Sequence, residues 1–297
     1  MRVESRNGVH RPLFTLDRGW RTGTGLRRRD FGSPSGRRPS YRALTANDAT
    51  VLFFERPWCV FPMTDVNAEF DVSEGVARVV LRREDALNAI DVEAKRTITE
   101  RLREYRDRDD VRVVVLEGAG EAFCAGGDLD EVVERDYALE PFTESWEALF
   151  TAMRTLPQPT VAKVDGHAYG GGFDLLLHAD VAVAANDARI GQPESSLGIV
   201  NHFSPPELLD RVGLPTTMDL LMTGDPISGE RADEIGLVSR SVPAEDLDAE
   251  VESVVDALTA TSPRVLEKLK RGVYASAEMS STAAKSHLET VSLAAAR

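Results

Sequence analysis

Two short glycine-rich stretches place acidic residues where they could do chemistry. Gly166 to Asp174 reads GHAYGGGFD; it follows the apolar run TVAKV and opens the run FDLLLHAD, so three glycines fall where a strand turns into a helix. Phe123 to Leu129 reads FCAGGDL and lies between VRVVVL and LDEVVERD, a second strand-to-helix junction. The first amides of a helix lack acceptors within it, the helix dipole adds positive character there, and glycine admits close approach of a ligand. Such a turn stabilises charge developing on an oxygen. Asp174 follows the last glycine by two residues, which sets a carboxylate beside that turn as proton transfer through an oxyanion requires. Glycine turns also build dinucleotide sites or let a strand and helix pack closely. Neither the spaced GxGxxG pattern nor a GK[ST] ending is present.

The elements that must hold these turns follow an alternating α/β pattern. Val76–Leu81 and Val111–Leu116 read as strands, and Asp91 can cap a helix whose Ile98, Leu102 and Tyr105 recur at helical spacing. After an acidic, aromatic stretch from Tyr137 to Trp146, the run WEALFTAMRTL reads as a helix stopped by Pro157 and Pro159. VAVAA is a further strand, and ARIGQPESSLGIVNHFSPPELL reads as a loop that carries Glu194 directly after Pro193. A last short strand is expected within Leu237–Val242. Leu247, Val251, Val254 and Leu258 mark one amphipathic helix, and Val265, Leu266, Leu269 and Val273 another.

Charge divides the chain sharply. Residues 1–62 contain 12 Arg, no Lys and 5 acidic residues, whereas residues 63–297 contain 23 basic and 44 acidic ones. The first stretch, rich in Arg, Gly, Ser and Pro, has no sustained period and is expected to be a disordered extension. It reads as sequence upstream of a true start at Met63, as a basic arm for nucleic acid, or as a transit peptide. The expected domains are this extension (1–62), an α/β core (63–245) and a C-terminal helical region (246–297). An acidic body with 5 Lys in the whole chain fits a protein kept soluble in concentrated salt, and is a poor partner for nucleic acid or an anionic membrane. Cys59 and Cys124 make no disulfide framework and show no metal-ligand spacing, so a reducing cytoplasm is expected. No apolar run approaches membrane-spanning length.

The ordered series EDALNAID, FCAGGDLDE, PTVAKVDGHAYGGGFDLLLHAD, IGQPESSLGI, LLMTGDPISGERADEIGLVSRSV and SPRVLEKLKRGV resembles the crotonase, or enoyl-CoA hydratase/isomerase, superfamily from about Val76 onward. The resemblance implies a spiral of ββα turns followed by C-terminal helices, which are apparently incomplete here. It also implies assembly as a homotrimer or dimer of trimers, and an acyl-CoA thioester as substrate. CoA is then part of the substrate, and no metal or separate cofactor is implied. Matched residue by residue, the oxyanion hole falls on the amides of Gly127 and Gly171. The two catalytic acids fall on Asp174, one methylene shorter than the glutamate usual in hydratases, and on Glu194.

Leu87 and Ala89, with Ala125 and Gly126, match positions that contact substrate, as do Asp128, Leu129 and Gly170. The activity implied is hydration of a 2-enoyl-CoA, with enoyl-CoA isomerisation, or a non-catalytic or RNA-binding use of the fold, as alternatives. Dienoyl-CoA isomerases of the superfamily share the acids at 174 and 194 and have a third where His202 stands, which makes His202 a candidate acid/base or a polar loop residue. The family's glycine-rich segment after the second acid is replaced here by IVNHFSPPELL. Cys124, His167 and His178 read as packing or structural residues.

Overall fold

One step, strand then strand then helix, recurs along most of the chain and sends its two strands to different sheets. The computed structural model describes residues 41–46, 49–54, 67–134, 139–277 and 279–295. It divides into two compact units, Met1–Pro57 and Trp58–Arg297. In the first unit β1 (Tyr41–Ala46) and β2 (Ala49–Phe54) form an antiparallel hairpin in register from Tyr41↔Phe54 to Ala46↔Ala49. This hairpin lies within the Arg-rich extension, residues 1–62, read from the sequence. Its two runs, YRALTA and ATVLFF, hold β-branched and aromatic residues that favour strands. The rest of that extension lies outside the described residues.

The second unit opens with the antiparallel pair β3 (Ala68–Ser73) and β4 (Val76–Leu81), followed by α1 (Val92–Arg106). The first full step is β5 (Val113–Gly118), β6 (Ala122–Cys124) and α2 (Leu129–Glu134). After α3 (Leu139–Thr155) comes the second, β7 (Thr160–Val164), β8 (His167–Tyr169) and α4 (Gly171–His178). The third is β9 (Val181–Ala185), β10 (Arg189–Gly191) and a 3-10 turn at Pro193–Leu197. The chain continues through α5 (Ser204–Thr223), β11 (Ile227–Ser228), α6 (Gly229–Glu234) and β12 (Arg240–Val242). Helices α7 (Leu247–Ala260), α8 (Pro263–Ala277) and α9 (Ser281–Ala295) follow.

The first strands of the three steps lie side by side and parallel in a six-stranded sheet ordered β12-β9-β7-β5-β4-β3. The second strands do the same in a four-stranded sheet ordered β11-β10-β8-β6. This is the spiral of ββα turns that the resemblance implies. Burial follows strand position. In β5 the run Val113–Leu116 is buried at every residue, as covered parallel strands require, whereas β4 near the sheet edge alternates.

α1 is capped as its sequence predicts, with the Asp91 carboxylate accepting from the Ala94 amide at 2.7 Å. Its buried stripe contains Ile98, Leu102 and Tyr105, and also Lys95. α3 begins at Leu139, seven residues before the Trp146 start read from the sequence. Phe142, Trp146 and Phe150 recur every four residues, and Glu140 favours the helix start, so the acidic, aromatic stretch is itself helical. The predicted loop after β9 likewise contains β10, the 3-10 turn and the start of α5, where Pro205 and Pro206 occupy the first turn.

Candidate active site

The two glycine turns come from successive steps of the spiral, and the parallel pairing of β6 with β8 sets them side by side. A Cβ added to Gly126 would lie 2.9 Å from the Gly171 amide nitrogen, and the φ of +102° at Gly126 already excludes most side chains. One indole touches both turns: added Cβ atoms on Gly127 and Gly171 would lie 3.4 Å from Trp146 Nε1 and 2.2 Å from Trp146 Cζ2. Gly172 serves packing, since a Cβ there would meet the Cys124 carbonyl oxygen at 2.0 Å. The close approaches at these glycines bear out the packing reading of their sequence.

The loop before α1 ties down the first turn. Ala125 donates to the Leu87 carbonyl at 2.9 Å, Ile90 to Gly126 at 2.9 Å, and Asp128 to Ile90 at 3.1 Å. In this bridge between Ile90 and Gly127 the ladder bonds use the residues on either side of Gly127, so its own amide faces away from it. Leu87 and Asn88 hold left-handed conformations, with φ of 51° and 58°. Asn88 is fully buried and donates to the carbonyls of Ala119 and Ala122 at 2.8 and 2.6 Å, which supports that conformation. Ala89 is half-buried on the same loop. Asp128 pairs with Arg83 and accepts from the Asp130 amide at 2.9 Å, whereas Leu129 is exposed.

Asp174 lies in the first turn of α4, behind Gly170, and is only 1% exposed. Its Oδ1 accepts from Ser204 Oγ and, at 3.0 Å, from Gln192 Nε2; its Oδ2 accepts from Asn201 Nδ2 at 2.8 Å. Burial pushes the carboxyl up to about 7, against the pull of these donors, and the neighbouring Glu194 charge pushes the same way as burial. Glu194 is carried by the 3-10 turn and lies against Gly170, where an added Cβ would be 2.8 Å from its Oε1. Its Oε1 is 3.4 Å from Asn201 Nδ2, and its Oε2 is buried without a hydrogen-bond partner among the described residues. Burial raises this carboxyl as well.

Asn201 thus reaches both acids with one nitrogen. Its Oδ1 accepts from the amides of Phe203 at 2.7 Å and Ser204 at 3.3 Å, at the start of α5, and this fixes which way the amide group faces. Asn201, Gln192 and Ser204 are the residues missed in the sequence. Their signal was an Asn, then Ser-Pro-Pro, which is a helix-start pattern, and a Gln two residues before the acid.

The other candidates fall outside this cluster. His202 is exposed and lies tilted against Phe203 with ring centroids 4.0 Å apart. His178 is within 2.8 Å of the Asp174 carbonyl through Nδ1 and stacks on Phe150. His167 pairs with the Tyr169 hydroxyl at 3.2 Å. Burial pushes the Cys124 thiol up to about 12, which leaves it no nucleophile near neutrality.

The family model described as enoyl-CoA hydratase/isomerase matches residues 71–295. The chain belongs to this family. It is 33% identical over 206 residues to a probable enoyl-CoA hydratase of Mycobacterium tuberculosis, covering 69% of this chain and 80% of that one. It is 31% identical over 202 residues to a short-chain-enoyl-CoA hydratase of Clostridium acetobutylicum, covering 67% and 77%. The crystal structure of an enoyl-CoA hydratase from Mycobacterium smegmatis superposes with a TM-score of 0.73 at 30% identity, over 77% of this chain and 90% of that one. Among the described residues no helix of this family member is long and apolar enough to cross a membrane.

Proposed function

We propose that the protein is an enoyl-CoA hydratase. The observation that carries this reading is the approach of Asp174 and Glu194 to one Asn201 nitrogen, at 2.8 and 3.4 Å, next to the glycine turn that opens α4. In this account the amides of Gly127 and Gly171 donate to the thioester oxygen and stabilise the enolate as charge develops there; losing one such donor costs about a hundred- to a thousand-fold in rate. Asp174, oriented by its three donors, is the carboxylate that holds and deprotonates water. The water oxygen bonds to the β-carbon, and the electron pair of the double bond moves toward the carbonyl. Glu194, whose Oε2 has no partner among the described residues, delivers a proton to the α-carbon, and the proton taken by Asp174 restores the pair. Atoms balance as one water added across the double bond.

The unequal surroundings of the two acids support a second reading. One acid held by three donors and one with an open oxygen also suits an isomerase, in which Glu194 alone carries a proton between two carbons of the enolate. The experiment offers crotonyl-CoA and a 3-enoyl-CoA separately, with products separated by chromatography. Formation of 3-hydroxybutyryl-CoA from crotonyl-CoA supports the hydratase. Conversion of the 3-enoyl thioester to the 2-enoyl one without hydration supports the isomerase. The acidic body makes concentrated salt a condition to include.

A further inference from the structure

Lys95 is a buried cation near the site that the proposed reaction leaves without work. It lies on the buried stripe of α1, is 0% exposed, and among the described residues its Nζ has no hydrogen-bond partner. It sits 3.8 Å from the ring centroid of Phe142 and 4.7 Å from that of Trp146. Those rings are the ones packed on the glycines: added Cβ atoms at Gly127 and Gly171 would lie 2.2 Å from Phe142 Cζ and Trp146 Cζ2. The ammonium is therefore one aromatic side chain away from the proposed oxyanion turns, and Phe142 is only half-buried.

The acids whose charge it feels are engaged elsewhere. Asp91 caps Ala94, Asp128 pairs with Arg83, and Glu131 accepts from the Val92 amide at 2.8 Å. Burying an ammonium without an acceptor is costly, and an apolar residue of similar length would fill this place more stably. A lysine here is accounted for if its partner arrives with the substrate.

We propose that Lys95 pairs with a carboxylate at the far end of the acyl group, so that the preferred substrate is an enoyl-CoA with a second acid function. This rests on the hydratase reading for the reaction, but not for the binding. Burial lowers the ammonium to about 7, so it is easily recharged by an incoming anion.

The test compares glutaconyl-CoA, a 2-enoyl thioester ending in a carboxylate, with crotonyl-CoA. It also compares the saturated glutaryl-CoA with butyryl-CoA by calorimetry. Wild type should favour the carboxylate-bearing member of each pair by about tenfold or more, and Lys95→Met should lower the ratio of kcat/KM values by about a hundredfold. Equal use and equal binding of both members by wild type, or an unchanged ratio in a folded Lys95→Met variant, would overturn the proposal. Should that variant not fold, the wild-type binding preference alone decides. Tight glutaryl-CoA binding with no hydration of either enoyl thioester would sink the hydratase reading and keep this one.

Discussion

Asn201 Nδ2 lies 2.8 Å from Asp174 Oδ2, and the same nitrogen is 3.4 Å from Glu194 Oε1. The amide cannot turn over without giving up two backbone bonds at the start of α5. Two carboxyls that would otherwise repel are held by one donor in a defined spacing. Asn201→Ala should lower kcat by about a hundredfold with a smaller change in KM, since loss of position costs more than loss of affinity. Asn201→Asp should be worse, because it adds a third negative charge. Steady-state kinetics on crotonyl-CoA check both.

The Asp174 carboxyl should titrate near 7, which a carbon NMR titration of labelled aspartate reads directly. Ser204→Ala removes a donor that favours the charged form and should raise the value. Glu194→Gln removes a charge that disfavours it and should lower the value. Opposite directions from two neighbours distinguish these causes from a general loosening of the site.

That same shift makes stability depend on pH. Between about pH 4 and 7 the folded protein keeps a proton on Asp174 that the unfolded chain has released, so this group's contribution falls as pH rises and levels off above 7. Asp174→Asn lacks that fall. Its stability relative to wild type should therefore grow from pH 4 to pH 8, by up to about 4 kcal/mol, in denaturant titrations.

Lys95 works in the other direction. Between about pH 7 and 10.5 the unfolded chain holds a proton that the folded protein has released, so wild-type stability should rise with pH across that window. Lys95→Met should be more stable than wild type by about 1–4 kcal/mol below pH 7, with the gain shrinking as pH increases. Thermal melts at pH 6 and pH 9 measure it.

Gly126→Ala would bring a methyl to 2.9 Å from the Gly171 nitrogen at a φ of +102°. It should cost about 1–2 kcal/mol in stability and about a hundredfold in kcat/KM. Gly120→Ala provides the comparison: it has a φ of +76° and a nearest neighbour in the flexible Glu84 side chain at 3.0 Å, so it should show the strain with activity retained.

Much of the framework was legible because its signals are local. The apolar runs of β5, β7 and β9, the Asp91 cap and the glycine turns each need only a few neighbouring residues to be read. The early start of α3 was missed because Glu140 and Glu144 dilute the apolar stripe that Phe142 and Trp146 supply.

At the site, Asp174 and Glu194 could be named from their motifs, but their shared donor could not. Asn201 and Ser204 belong to the segment IVNHFSPPELL. Their role arises only when α5 folds back over α4. Lys95 gives no local signal of its burial, since charge on a predicted helix is assigned to solvent by default.

The central claim is that Asp174 and Glu194 act together on water beside two backbone donors. Its most direct measurement is the rate of 3-hydroxybutyryl-CoA formation from crotonyl-CoA by wild type, Asp174→Asn and Glu194→Gln, with each variant shown to be folded. The account predicts a loss of about a thousandfold or more in each variant, and a double variant little worse than either single one. Wild-type rates in both single variants would contradict it.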